Sequence, residues 1–349
     1  MTINKIETLS EFLHSSGAKY RVFDMGRRVV KLTPDEFIGF EAAKDPYPYP
    51  FKKEALIAVI FWDQKKPEHH YVWFLHFPLD EQGLLIQAAR DEFLVMLLDR
   101  VGEQMLAEDD GKKIESALKD SPYTFKPRED RMAAFNAQVT KSIGLKPSQF
   151  YDYARSYFSE GSDLNDWQSL GMQGVADVAA RLDDMEETLS LISVLPSVPE
   201  RPFMMLSIFL ENAQPAVGLV EVFTQQITMQ LQEKEPDIAR ICACLGAISN
   251  SPATGLVDLA VKHVLQHPCS HNINILATIS GRIWRVLEQD FLCKLYIEQL
   301  AQNDAGQQGF NQLLADAMFI PGLRAHIMKV LRAPERSQEL TKAVGEMFA

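Results

Sequence analysis

The 349-residue sequence has no long hydrophobic run. Its longest strongly apolar stretches, 55–62 and 203–210, contain eight residues each, whereas a membrane-spanning helix needs about 20. Residues 1–10 alternate between polar and apolar side chains, without the hydrophobic centre of a signal peptide. We therefore expect a cytoplasmic protein for which a membrane is not a partner.

Cysteine is also scarce. The four cysteines lie late in the chain, without the spacing of a disulfide framework: Cys242, Cys244, Cys269 and Cys293. Free thiols in a reducing compartment are expected for such a pattern, which agrees with a cytoplasmic location.

The chain has no excess of positive charge. It carries 35 Lys and Arg against 47 Asp and Glu, for a formal net charge of −12. Such an acidic balance repels phosphate backbones, so nucleic acid is not expected as a partner. The strongest basic patch, Arg27 and Arg28 with Lys31, is small.

Common catalytic and nucleotide-binding signatures are missing too. The sequence contains no GxSxG, GxxxxGK[ST], GxGxxG or HExxH motif. These absences weigh against the common hydrolase, nucleotide-binding and metalloprotease classes, and no cofactor is predicted. An unusual enzyme stays open as an alternative.

The composition that remains is that of a globular protein with real cores, at 46% hydrophobic and 23% charged residues. The length indicates two domains. Residues 1–110 predict an α+β head, because apolar stretches rich in β-branched residues are interrupted by helical segments. We expect a largely antiparallel sheet with strands at 20–25, 27–32, 55–62 and 70–77.

Helix signals flank these strands in the head. Apolar residues at helical spacing predict helices near 6–13 and 87–105. A third helix is expected to begin after Thr33, because Thr33 can cap, Pro34 suits the first helical position and Glu36 completes a capping box.

A linker with connecting helices is predicted for residues 111–162, with helices at 131–143 and 147–159. From residue 163 to 349 only helices are expected. First-turn prolines recur there with a pair period in the mid-thirties, so further helices should begin near 272, 289, 308 and 321. This period predicts HEAT-like stacked helix pairs, either as a curved solenoid or as an irregular bundle.

The stretch 163–182 predicts one helix with two glycines, Gly171 and Gly174, inside its apolar stripe. Each interior glycine costs about 1 kcal/mol against alanine, so the missing side chains should allow close approach by another element. We expect this helix to begin the array and to receive the head.

Asp24, Arg27 and Arg28 form the most specific polar cluster of the head and are the candidate binding residues. Adjacent arginines around a glycine turn can face an anion or a partner's carboxylate. The alternative is an ordinary hairpin tip, with solvated charges or with an arginine joined to Asp24.

Histidine clusters suggest two further sites. No metal is predicted, and the weak candidates for one are His263, His267, Cys269 and His271, four ligands within nine residues. The alternative places His263 and His267 at a helix C-terminus, where positive charge is favourable. His69 precedes the last predicted strand, His70 and His76 share one face of it, and no carboxylate or nucleophile lies at a distinctive spacing from them.

The whole chain resembles a known family of uncharacterised gamma-proteobacterial proteins that carries a domain-of-unknown-function label. The resemblance lies in residues 24–28, 46–50, 77–83 and 167–182. It implies a bacterial, cytoplasmic protein and supplies no activity or site.

These observations support three hypotheses about the function of the protein. The leading one is a non-enzymatic interaction protein whose helical array binds another protein. The second is an unrecognised enzyme or metal protein that uses a histidine-rich site. The third is nucleic-acid binding through Arg27, Arg28 and the aromatic helix 151–158, which the net charge opposes.

Overall fold

A computed structural model describes residues 6–64, 69–102 and 118–347. The chain divides into two compact units. The first comprises Met1–Arg128 with Phe319–Pro321, and the second comprises Glu129–Met318 with Gly322–Ala349. The helices at 129–142 and 151–157, which the sequence assigned to a connecting segment, belong to the second unit.

The first unit contains a four-stranded antiparallel sheet in the order β2-β1-β3-β4, which confirms the predicted head. Its strands are β1 Ala18–Asp24, β2 Val30–Lys31, β3 Glu54–Asp63 and β4 His70–Pro78. Strand β2 is shorter than the predicted 27–32. The reason is local, because backbone N–H groups of Gly26 and Arg28 donate to the Asp24 carboxylate and so form a turn instead of a strand.

Within the described residues, the helices of the first unit are α1 Leu9–Ser15, α2 Pro34–Glu41 and α3 Gln87–Val101. The capping box at Thr33 is confirmed, since Glu36 N donates to Thr33 Oγ1 at 3.2 Å and Thr33 N donates to Glu36 Oε2 at 2.7 Å. The predicted end of α3 near Met105 lies outside the described residues. The sheet and helices enclose an aromatic core that includes Phe37, Phe40, Tyr47, Phe61 and Phe93.

The second unit is built from helices throughout its described length. They are α4 Glu129–Ser142, α5 Tyr151–Tyr157, α6 Met172–Ala180, α7 Met185–Val194, α8 Glu200–Leu210, α9 Val217–Gln232, α10 Ile238–Ile248, α11 Thr254–Gln266, α12 Ile273–Arg282, α13 Asp290–Leu300, α14 Gly306–Met318, α15 Leu323–Arg332 and α16 Gln338–Glu346. The helix starts expected near 272, 289, 308 and 321 agree with α12 to α15 within two residues. None of the helices within the described ranges is both long and apolar enough to cross a membrane.

Most of these helices pack against the helix two places further along the chain. Helices α4, α6, α8, α10, α12 and α14 form one succession of neighbours, here called row A. Helices α7, α9, α11, α13 and α15 form a second succession, row B, and neighbouring members of the two rows also touch. Helix α5 packs on α6.

The stretch 163–182 is not one helix, contrary to the prediction. A short 3₁₀ turn at Trp167–Ser169 is followed by α6, and Gly171 between them is extended, with φ −79° and ψ 136°. The prediction of close approach at Gly174 is confirmed. A Cβ there would lie 2.4 Å from the carbonyl oxygen of Phe150, so the backbone just before α5 lies against α6.

Glu41 is a buried acid that connects two helices of the first unit. It ends α2 and accepts the N–H of Leu9 at 2.8 Å and of Ser10 at 3.2 Å, at the start of α1. Burial raises the pKa of Glu41 to about 7, while the hydrogen bonds from Ser10 and Leu9 lower it only in part. The carboxyl therefore titrates near neutrality in the folded protein.

This raised pKa makes the first unit less stable as the pH rises. An unfolded glutamate titrates near 4.5, so the stabilising effect of the protonated folded form is complete below that pH and is lost as the pH approaches 7. We expect urea unfolding to show a loss of up to about 3 kcal/mol between pH 5 and pH 8 from this group. Glu41→Gln keeps an acceptor and should remove that part of the pH dependence; the same dependence in both proteins would contradict the assignment.

Candidate binding site

Asp24, Arg27 and Arg28 are all buried, at 0%, 2% and 2% exposure. The two Asp24 oxygens accept the Tyr47 hydroxyl at 2.7 Å and the Arg28 N–H at 2.9 Å. Arg27 Nε donates to the carbonyl of Pro50. These contacts join the turn after β1 to the segment before β3, so the charges are buried and not solvated as at an ordinary hairpin tip. A ligand at this cluster would have to displace the internal partners, so binding by these residues stays a prediction.

The metal candidates do not assemble. In the described ranges, no three His, Cys, Asp or Glu side chains are grouped so that they could hold a metal ion. His263 lies in the last turn of α11, as the helix-terminus alternative proposed. His267 caps the next short turn, where its Nδ1 accepts the Cys269 N–H at 3.2 Å. His263, His267, Cys269 and His271 therefore belong to the end of α11 and the short turn after it, and they are not grouped as metal ligands.

The two histidines of β4, His70 and His76, have different surroundings and do not form a common site. Burial lowers the pKa of His70, which favours a neutral ring. His76 Nδ1 lies 3.4 Å from Glu54 Oε1 across the β3–β4 pair. A single histidine–carboxylate contact on a strand contains no nucleophile, and it makes no catalytic arrangement by itself.

The second unit contains a cleft that the sequence did not predict. Its volume is about 140 Å³. Residues from α5, α6, α7 and the segments that follow α5 and α6 line it: Arg155, Phe158, Ser159, Val178, Leu182, Glu186, Glu187, Ser190 and Leu191. The buried residues Phe158, Val178 and Leu191 make its floor apolar, whereas the exposed Arg155 and Glu186 give its mouth both signs of charge.

A helix cap and a hydrogen bond between segments fix the two walls of the cleft, α7 and the chain after α5. Helix α7 begins at the N-cap Asp184, whose Oδ1 accepts the N–H groups of Glu186 at 2.9 Å and Glu187 at 3.0 Å. The chain beyond α5 is tied to α7, because Glu160 N donates to Ser190 Oγ at 3.0 Å. The walls are therefore held in place on both sides of the opening.

Glu187 is the electrostatic centre of the site. Its Oε1 lies 2.6 Å from Arg155 Nε, and its Oε2 accepts the Tyr151 hydroxyl at 3.1 Å. Burial, and then the charge of Glu187, raise the pKa of Tyr151 to about 12. Arg181 lies over the Tyr151 ring at 5.7 Å and pairs with Asp177 at 2.7 Å. Glu187 is therefore fully engaged, and its side chain is only 18% exposed.

Glu186 and the outer part of Arg155 are the charges that a ligand would meet. Glu186 is exposed, and Arg155 is 56% exposed and uses Nε for Glu187. Among the described residues that line the cleft there is neither a histidine nor a cysteine, and the Ser159 hydroxyl donates to the Ser156 carbonyl. The arrangement is suited to binding a segment with apolar and charged side chains, and it shows no activated nucleophile.

Comparison with known proteins identifies a family whose function is not known. A family model described as "Protein of unknown function (DUF3549)" matches residues 4–348. The chain belongs to this family, as the resemblance to an uncharacterised domain-of-unknown-function family had indicated. No curated protein and no solved structure matches the chain.

Adjacent glutamates offer a matched test of the cleft's electrostatics. Glu187→Gln removes a mostly buried charge from Arg155 and Tyr151, and we expect a loss of about 1 kcal/mol in the free energy of unfolding. Glu186→Gln at the exposed neighbouring position should stay within about 0.5 kcal/mol of the wild type. Chemical denaturation measures both; equal effects would show that the Glu187 contacts do not stabilise the site.

Proposed function

We propose that this DUF3549 protein is a cytoplasmic, non-enzymatic interaction protein whose helical unit binds a segment of another protein. The cleft between α5 and α7 is the observation that carries the proposal. It combines an apolar floor with charges held by neighbours, and such a combination recognises a peptide by burial of one side chain and orientation of another.

The arrangement of the helices supports a HEAT-like array. From α8 onwards, the row A helices begin at Glu200, Ile238, Ile273 and Gly306, which is every 33 to 38 residues. Each helix packs on its successor in the same row, as repeat proteins do when every unit contacts its neighbours. Surfaces of that kind are used mostly for binding.

The chemistry of the cleft suggests what the partner carries. Phe158, Val178 and Leu191 line the cleft and are at most 5% exposed, so a small apolar side chain of the partner would reach them at the floor. Glu186 is exposed and free to pair with a cation, since Glu187 already holds Arg155. A segment with an apolar residue beside Lys or Arg therefore fits best.

Photo-crosslinking in cells of the native host tests this proposal. A photoreactive residue in place of Ser190, which lines the cleft, should give one discrete adduct with a second protein. Ser156 is exposed on α5 and does not line the cleft, so the same residue at that position should give none. The additional variant Ser190→Trp fills the cleft and should remove the partner from co-purified material.

Two results would contradict a binding role for the cleft. One is the absence of an adduct from position 190. The other is the same adduct at equal yield from positions 190 and 156, which would place the partner elsewhere.

A further inference from the structure

Exposed large hydrophobic side chains are concentrated on row B. Of the described helices in the two rows, row A exposes such side chains at Met172 and Ile208 only. Row B exposes them on four successive helices, at Met185, Leu189, Val217, Met229, Leu259 and Phe291. Scattered exposed hydrophobics are normal on protein surfaces, but this distribution favours one row.

These side chains lie on the sides of their helices that face away from the core. Met185 and Leu189 are one turn apart on α7, at 78% and 58% exposure, whereas Leu191 of the same helix is buried. Phe291 on α13 lies near α11, because Lys262 Nζ is 5.5 Å from the Phe291 ring. Leu259 precedes Lys262 by three residues on α11, so Leu259 and Phe291 belong to one surface.

Charge is distributed unequally along the same row. Helix α7 at its beginning contains Glu186 and Glu187 and no lysine or arginine. Helix α15 at its end contains Arg324, Lys329 and Arg332 and no acidic residue. The apolar surface therefore lies between an acidic helix and a basic one.

We propose that row B is the interface of a two-fold symmetric homodimer. A two-fold axis beside α11, the middle helix of the row, sets α7 of one copy against α15 of the other and α9 against α13. The acidic helix then meets the basic helix twice, and Leu259 meets the same residue of the second copy near the axis. Such self-complementarity is what an isologous interface requires.

Internal contacts already use Glu187 and Lys329 but leave Glu186 and Arg332 available for this pairing. Lys329 of α15 pairs with Asp290 of α13 in its own chain. Arg332 and Glu186 are exposed, and no ion pair joins either of them to another described residue. The apolar contacts of the dimer lie outside the cleft, whereas Glu186 also lines the cleft, so Arg332 of the second copy and a cation of a bound partner segment compete for this one carboxylate.

Light scattering and sedimentation equilibrium of the purified full chain test the proposal. The wild type should form a dimer that does not grow further, because an isologous contact closes on itself. Leu259→Glu places two negative charges near the axis and should weaken the dimer at least roughly 30-fold. Ile208→Glu is the matched control on row A, since Ile208 and Leu259 are 45% and 47% exposed, and it should leave the dimer intact.

Charge reversal tests the orientation of the two copies. Glu186→Lys and Arg332→Glu should each weaken the dimer, and the two changes combined in one chain should restore it, because the opposite charges meet again across the interface. A monomeric wild type, equal disruption by Ile208→Glu and Leu259→Glu, or a double variant weaker than both single variants would overturn the proposal. The measurement uses purified protein alone, so its failure is distinguishable from a failure of the crosslinking in cells.

Discussion

The contact between the Phe150 backbone and Gly174 is the constraint on which the candidate site depends. Helix α5 begins at the next residue, Tyr151, so the position of the Phe150 carbonyl sets where α5 lies on α6. Helix α7 follows α6 after a short loop and forms the other wall. A side chain at position 174 would push α5 outwards, and the cleft between α5 and α7 would change shape.

This close approach also explains the electrostatics of the cleft. It places Tyr151 and Arg155 of α5 beside Glu187 of α7, where each polar group finds a partner. Since a buried charge without a partner is costly, the pairing holds the two walls together while the floor stays apolar. The packing of α5 on α6 therefore sets the geometry of the site, and the charged groups find their partners within that geometry.

Local signals predicted much of the fold and little of the site. The capping box at Thr33 acts within a few residues, and the spacing of first-turn prolines repeats along the array; both predicted helix starts correctly. The cleft joins α5 to α7 across about 30 positions of sequence, for which a single sequence has no signal. Burial of Asp24, Arg27 and Arg28 depends on Tyr47 and Pro50 in a distant segment, so the cluster looked more available for binding than it is.

The free energy of unfolding of Gly174→Ala tests the central claim most directly. A Cβ at position 174 would lie 2.4 Å from a backbone oxygen, whereas one at Gly281, in helix α12, would meet nothing within 4 Å. Gly174→Ala should lose about 2 kcal/mol or more despite alanine's better helix propensity, because backbone must move. Gly281→Ala should be unchanged or gain up to about 1 kcal/mol. Equal stability of the two variants would contradict the account.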